Sequence, residues 1–311
     1  MQANCLGIEI GGTKLQIVVG DAKANICQRR RFAVDRQQGG AGIRRQVEVA
    51  LPELLRTFQP QAIAVGFGGP VDWQSGRIAR SHQIEGWSDF TLRDWLTELT
   101  HRPVLVENDA NAGALGEAVR GAGAGFNPVF YVTLGSGVGG GLVVGGGIYH
   151  GAKPGEAEIG HVRLDRQGTT VESRCSGWAV DAKIRKLKES GSDSLLCRQA
   201  SHSPGGEARH LGQALLAADA AAHQILDETT EDLAFALSHV IHLLHPQVIV
   251  LGGGLSLLGE PLRAAVAKAL PPHVMEVFHP VPEVRLAALG EDAVPVGCLV
   301  AASQLAASVQ L

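Results

Sequence analysis

Two stretches of this sequence, far apart in the chain, repeat one pattern: an apolar run, a glycine-rich break, then a second apolar run. Leu6 to Ile10 leads into Gly11-Gly12-Thr13-Lys14 and resumes as Leu15 to Val19. Phe130 to Leu134 leads into Gly135-Ser136-Gly137-Val138-Gly139-Gly140-Gly141 and resumes as Leu142 to Val144. Each reads as a β-hairpin closed by a glycine turn. The pair is a weak internal repeat in which a hairpin opens each half of the chain. Glycine reaches backbone angles closed to other residues and lets a ligand approach the main chain. The chain carries 40 glycines, and their clusters follow apolar runs, so they read as site builders and not as linker.

Between and after the hairpins, strand and helix patterns alternate. Ile43 to Phe58 has apolar residues at helical spacing, Ala62 to Phe67 reads as a buried strand ending in Gly68-Gly69-Pro70, and Leu92 to Leu99 as a short helix. Val104 to Val106 is a strand, and a helix over Ala110 to Val119 follows Asn108-Asp109 directly. Ser190 to Glu207 is polar and glycine-rich and reads as a loop or irregular helix connection. Gly212 to Leu244 is a long helical stretch divisible into two, Val248 to Leu251 a strand capped by Gly252-Gly253-Gly254, and Pro261 to Leu270 a helix. Val294 to Ala307 is a terminal helix with Pro295 near its start, where proline is tolerated. The expected class is α/β with sheets covered on both faces. Ligands in such folds sit beyond the carboxyl ends of strands, which is where Gly11, Gly68, Asp109, Gly135 and Gly252 fall.

At 311 residues two domains are expected, with an active-site cleft between them. The division reads as a smaller N-terminal domain of residues 1–112 and a larger domain of 113–293, with a last helix at about 294–311. Apolar residues at 45% and charged residues at 19% are ordinary for a soluble globular chain. A net charge of −4 leaves no footprint for nucleic acid, and Arg29-Arg30-Arg31 reads as a solvated strand end. The five cysteines are scattered, without the spacing of a disulfide framework or a zinc ribbon. No leader pattern and no apolar run long enough to cross a bilayer stands out, so no membrane partner and a cytoplasmic location are expected.

The chemistry gathers at a few points. Both glycine turns present backbone N–H groups as a nest for anions, with Thr13 and Lys14 on the first and Thr133 and Ser136 on the second. Neither has Walker spacing, and Gly135-x-Gly137-x-x-Gly140 precedes a strand, which excludes the dinucleotide reading. Glu107, Asn108 and Asp109 stand together at the end of an apolar strand, an expensive place for three polar groups without a task. A lone Asp there reads as a helix N-cap. Phosphoryl transfer to a hydroxyl needs a base in hydrogen-bond reach, which Asp109 supplies, with Asn108 beside it. In Glu156-Ala157-Glu158-Ile159-Gly160-His161, alternation along an extended segment would point Glu156 and Glu158 to one face.

Leu-Gly-Ile-Glu-Ile-Gly-Gly-Thr-Lys, Glu-Asn-Asp-Ala-Asn-Ala, Thr-Leu-Gly-Ser-Gly-Val-Gly-Gly-Gly and Glu-Ile-Gly-His occur in one order over Leu6 to Ala302. Together they resemble the ROK family of repressors and sugar kinases, within the actin–hexokinase (ribonuclease H-like) fold. The resemblance implies that Gly11, Gly12, Thr13 and Lys14 form the first ATP phosphate loop and Thr133, Gly135, Ser136 and Gly137 the second. Gly253 and Gly254 would lie near the adenosine. Glu9, where the family often has Asp, would hold Mg²⁺ through water. Gly69, Asn108, Asp109, Glu158, His161 and Glu172 would contact the sugar.

Most members follow Gly-His with a cysteine loop that holds a structural zinc. Here only Cys175 stands in that region and the loop is shortened away, so no zinc is expected. Ser81-His82-Gln83-Ile84-Glu85-Gly86-Trp87 also departs from the family's usual Pro-Asn-Leu before Gly-Trp. The expected activity is transfer of the γ-phosphate of Mg·ATP to a hexose hydroxyl, the 6-hydroxyl of glucose first, with Asp109 as base. Fructose, N-acetylmannosamine, N-acetylglucosamine or allose as acceptor, and polyphosphate as donor, are the alternatives within the class. A non-catalytic sugar sensor is the alternative outside it. The expected assembly, by resemblance, is a homodimer.

Overall fold

A computed structural model describes residues 5–79, 84–153, 157–201 and 205–309. The first hairpin forms as its pattern requires: β1 (Cys5–Ile10) and β2 (Lys14–Gly20) pair antiparallel, with Ile10 opposite Leu15 where the turn closes. β3 (Ile26–Ala33) continues on β2. Helix α1 (Gly39–Phe58) buries Ile43, Val47, Leu51 and Leu54, one stripe at helical period. Strand β4 (Ala62–Phe67), fully apolar and fully buried, lies parallel to β1. A small hairpin of β5 (Val71–Asp72) and β6 (Arg77–Ile78) and a helix α2 (Leu92–Thr100) lead to β7 (Val104–Asn108), parallel to β4. Helix α3 (Asp109–Arg120) begins at the next residue. The sheet order is β3-β2-β1-β4-β7.

The second hairpin opens a second five-stranded sheet, order β10-β9-β8-β11-β12. Its strands are β8 (Val129–Leu134), β9 (Val138–Val144), β10 (Gly147–Ile148), β11 (Val248–Gly252) and β12 (Glu283–Leu286). β11 runs parallel to both β8 and β12. The repeat seen in the sequence thus returns as topology, a hairpin joined to parallel strands in each sheet. Between β10 and β12 come α4 (Val171–Cys175), α5 (Gly177–Glu189), α6 (Leu195–Ala200), α7 (Leu211–Leu216), α8 (Ala220–Leu244) and α9 (Glu260–Ala269). Of the two readings of 190–207, the helical connection is the one that forms: α6 lies there, its start capped by the Ser194 hydroxyl accepting from the Cys197 N–H.

Helix α10 (Ala293–Val309) closes the chain and packs on α3, β1 and β4. The segment Gly290–Val309 is long and apolar enough to cross a membrane by length and composition alone, an exception to the expectation of no such run. Half of it is buried in the protein, as in a core helix. Its contact with α3 is made through glycine: a side chain on Gly297 would overlap the Ala112 carbonyl, and one on Gly116 the Ala293 carbonyl.

The chain forms two compact units, residues 1–125, 141–157 and 291–311 in one and 126–140 with 158–290 in the other. The break falls after Gly125 and not after Ala112, because α3 is one unbroken helix through that position, packed on β4 and α10. The first unit is also the one with more residues. Arg29, Arg30 and Arg31 lie within β3 and not at its end, with Arg30 and Arg31 solvated as expected. They pair with Asp292 at 2.7 Å, Glu53 at 2.9 Å and Glu291 at 3.4 Å.

Candidate active site

The parallel register of the first sheet puts Ile10 beside Phe67 and Phe67 beside Asn108. The next residues, Gly11, Gly68 and Asp109, therefore leave three neighbouring strands at one edge. The Gly68 N–H donates to the Ile10 carbonyl at 2.9 Å, and a side chain on Gly68 would come within 3.4 Å of Asp109 Oδ2. Glycine at 68 thus keeps open the approach to the carboxylate. Gly11, Gly12 and Gly68 also line a small cavity floored by Ile10 and Trp87. In the turn itself the Gly11 N–H donates to the Lys14 carbonyl at 3.0 Å, and Thr13 is exposed.

The N-cap of α3 is Asn108, not Asp109. Its Oδ1 accepts from the N–H of Ala110 at 2.8 Å and of Asn111 at 3.3 Å, and its Nδ2 donates to the Gly69 carbonyl at 3.2 Å. Asn108 thereby discharges the capping task. Asp109 becomes the first helical residue, half-buried, with Oδ1 accepting from the Ala110 N–H at 2.9 Å. Glu9 points off β1 toward β2. Its Oε1 lies 3.4 Å from Lys14 Nζ, and its Oε2 accepts from Gln16 Nε2 at 2.6 Å. Burial raises its carboxyl above the ordinary value, against the pull of Lys14 and Gln16.

In the second unit the turn is tighter than the sequence pattern indicates: the strand resumes at Val138, leaving Gly135-Ser136-Gly137 between β8 and β9. Three other segments hold it. Glu172, at the start of α4, accepts from the Val138 N–H at 2.9 Å and lies against Gly137. The Gly177 N–H, at the start of α5, donates to the Gly135 carbonyl at 2.7 Å. Gly253, at a φ of 80°, packs on the backbone of Leu134, where a Cβ would fall 2.5 Å from its nitrogen. Gly252 stands in register with Thr133, so Gly253-Gly254 leaves β11 beside the turn.

Ile159–His161 is a single 3₁₀ turn that begins just after Glu158, and the alternation expected of Glu156 with Glu158 rests on Glu156, outside the described residues. Glu158 and His161 are exposed, while Gly160 between them presses on the backbone of Val138. Glu156, Ser81, His82 and Gln83 lie outside the described residues. Cys175 is buried in α4, its Sγ donating to the Thr229 carbonyl at 3.5 Å, and burial pushes its thiol up to about 12. Among the described residues no group of three or more His, Cys, Asp or Glu is arranged to hold a metal ion.

Sequence reasoning missed the bracing residues. No pattern singled out Gly177, and the partner of Glu107 was not visible at all. That partner is His150, whose Nε2 lies 2.8 and 3.0 Å from the two carboxylate oxygens.

A glycine hairpin opening each of two five-stranded sheets defines the actin–hexokinase class of α/β fold. The solved relatives share it. The ROK family glucokinase of Streptomyces griseus, crystallised with glucose and AMPPNP, superposes with a TM-score of 0.83 at 28% identity, over 96% of this chain and 99% of that one. A ROK family transcriptional regulator homologous to the MLC protein of E. coli superposes at 0.86 over 98% of this chain and 79% of that one; at 18% identity this likeness concerns the fold. The glucokinase of Halalkalibacterium halodurans is 31% identical over 306 residues, covering 94% of this chain and 92% of that protein. The sequence profile of the ROK family matches residues 5–305, and the chain belongs to that family.

Proposed function

We propose that this chain transfers the γ-phosphoryl group of ATP to a hexose hydroxyl, with the 6-hydroxyl of glucose as the acceptor. It is a sugar kinase, and the observation that carries the reading is the alignment of Gly11, Gly68 and Asp109 at the ends of three parallel strands. Asp109 is the general base: Asn108 serves as the cap of α3, and Asp109 Oδ2 faces the glycine at 68. Phosphoryl transfer demands mostly positioning and charge neutralisation beyond that base. Gly11, Gly12, Thr13, Lys14 and Thr133, Gly135, Ser136, Gly137 take the phosphates, and Gly253 and Gly254 the adenosine. Gly69, Asn108, Asp109, Glu158, His161 and Glu172 take the sugar.

Mg²⁺ neutralises phosphate charge in such a transfer. The donor set fits a water-mediated role: Glu9 offers a carboxylate, but both its oxygens are already engaged by Lys14 and Gln16. The enzyme is proposed to work in the cytoplasm as a homodimer. A panel of hexoses with ATP or polyphosphate, read by product phosphate ester, tests the reading. Asp109→Asn is expected to lower kcat by roughly 10²- to 10⁴-fold with sugar binding retained. Near-normal turnover in that variant, or no turnover of any sugar by the wild type, would overturn it.

A further inference from the structure

Glu107 is the buried member of the Glu107-Asn108-Asp109 run, its side chain only 4% exposed. A carboxylate at that depth keeps its charge only with a partner. His150, two residues beyond β10, supplies the partner in the two-oxygen contact given above. An ionised carboxylate only accepts hydrogen bonds, so Nε2 carries the proton.

The other face of the same imidazole does a second thing. It stacks on the Trp73 indole, ring centroids 4.1 Å apart and planes 15° from parallel. Trp73 sits in the β5–β6 turn, just downstream of Gly69-Pro70, and its own Nε1 is buried with no hydrogen-bond partner among the described residues. Among the described residues it is the stack, and not a hydrogen bond, that orients the indole. The neighbouring residues reinforce the join: Lys153 Nζ lies 3.6 Å from Asp72 Oδ1.

We propose that His150 is a positioning residue, tying the strand end that carries Asn108 and Asp109 to the loop that carries Gly69. The inference rests on the kinase reading for its consequence, since these are the segments assigned there to the sugar. His150 acts through Glu107 and Trp73 and touches no reacting atom. The Asn108 Nδ2 bond to the Gly69 carbonyl spans the same two segments, so their separation is fixed at two depths.

The two contacts separate by substitution. His150→Phe keeps a ring for Trp73 and removes the donor to Glu107; His150→Gln keeps a donor and removes the ring. Glu107→Gln removes the charge, so that an unpaired buried carboxylate does not decide the result. Expected for His150→Phe is a roughly tenfold rise in sugar KM with ATP KM within about twofold, and a partial return in the double variant with Glu107→Gln. His150→Gln is expected to raise sugar KM less than His150→Phe does. Amide hydrogen exchange, read in every variant, is expected to quicken over residues 69–73 and 107–111 together. A fall in Tm with an unchanged ratio of sugar to ATP KM, or exchange that quickens over one segment alone, overturns the proposal. If the wild type turns over no sugar, the kinase reading falls, and the exchange measurement still decides whether His150 joins the two segments.

Discussion

The N–H of Gly177 donates to the carbonyl of Gly135 at 2.7 Å, and a methyl group on Gly177 would stand 2.9 Å from that same oxygen. The start of α5 and the second glycine turn are in backbone contact, which leaves no room for a side chain. Gly177→Ala is expected to push the turn without unfolding the unit, raising KM for ATP by about tenfold, the kinetic equivalent of a modest overpacking cost. Sugar KM is expected to stay within about twofold, because Gly69, Asn108 and Asp109 belong to the first unit and not to the one that holds this turn. Steady-state kinetics with each substrate varied in turn checks this; equal effects on both KM values would refute it.

Asn108 does two jobs with opposite ends of one amide, and two substitutions divide them. Asn108→Asp keeps an oxygen that accepts from the Ala110 and Asn111 N–H groups, so α3 remains capped. It loses the donor to the Gly69 carbonyl, and a carboxylate there repels that oxygen. Asn108→Ala loses both contacts. The expected pattern is a Tm near wild type for Asp, a loss of about 1 kcal/mol for Ala, and raised sugar KM in both. Thermal unfolding beside kinetics separates the outcomes, and an Asp variant with unchanged sugar KM would show that the Gly69 contact is idle.

Much of this was legible from residue order. The period-3.6 stripe of α1, the two hairpins and the buried run of β4 are local patterns, and they formed where their side chains require. Asp109 at a strand end was legible for the same reason. What stayed hidden depends on contacts between residues distant in sequence: Glu107 with His150, Glu172 with Val138, Gly177 with Gly135. No periodicity encodes such a pairing. The arginine run shows the same limit, since its three anions, Asp292, Glu53 and Glu291, come from α1 and from the chain just before α10. The 3₁₀ turn at Ile159–His161 is of the same kind. Gly160 must approach the backbone of Val138, and the chain coils into a 3₁₀ turn to bring it there.

Glu9 predicts a pH dependence of stability with a definite sign. Burial raises its folded-state carboxyl above the value it has in the unfolded chain. Its contribution is then fully present below the unfolded value and is lost as pH rises through the raised one. Glu9→Gln removes that loss, so the Tm difference, variant minus wild type, is expected to be more positive at about pH 7.5 than at about pH 4. A difference that is flat across that range would mean that Lys14 and Gln16 cancel the burial. If Glu9 also meets Mg²⁺ through water, the same variant needs more Mg²⁺ for half-maximal turnover.

The crossing of α3 and α10 offers the sharpest test of the fold itself. Gly297 on α10 faces the Ala112 carbonyl so closely that a Cβ would overlap it, and Gly116 on α3 meets Ala293 in the same way. Both contacts are with backbone, which cannot rotate aside as a side chain could. Adding one methyl group at either position forces the helices apart and unpacks α10 from β1 and β4, where it covers part of the first sheet. Gly297→Ala is expected to cost at least the upper end of the usual overpacking range, about 3 kcal/mol, and Ala302→Gly, which adds no bulk on the same helix, much less than that. Because α3 begins at Asp109, separation of the helices is also expected to lower kcat before the protein unfolds. Chemical denaturation of both variants, with turnover measured well below the unfolding midpoint, decides the matter: a Gly297→Ala protein as stable as Ala302→Gly would mean that the two helices are not held by this contact.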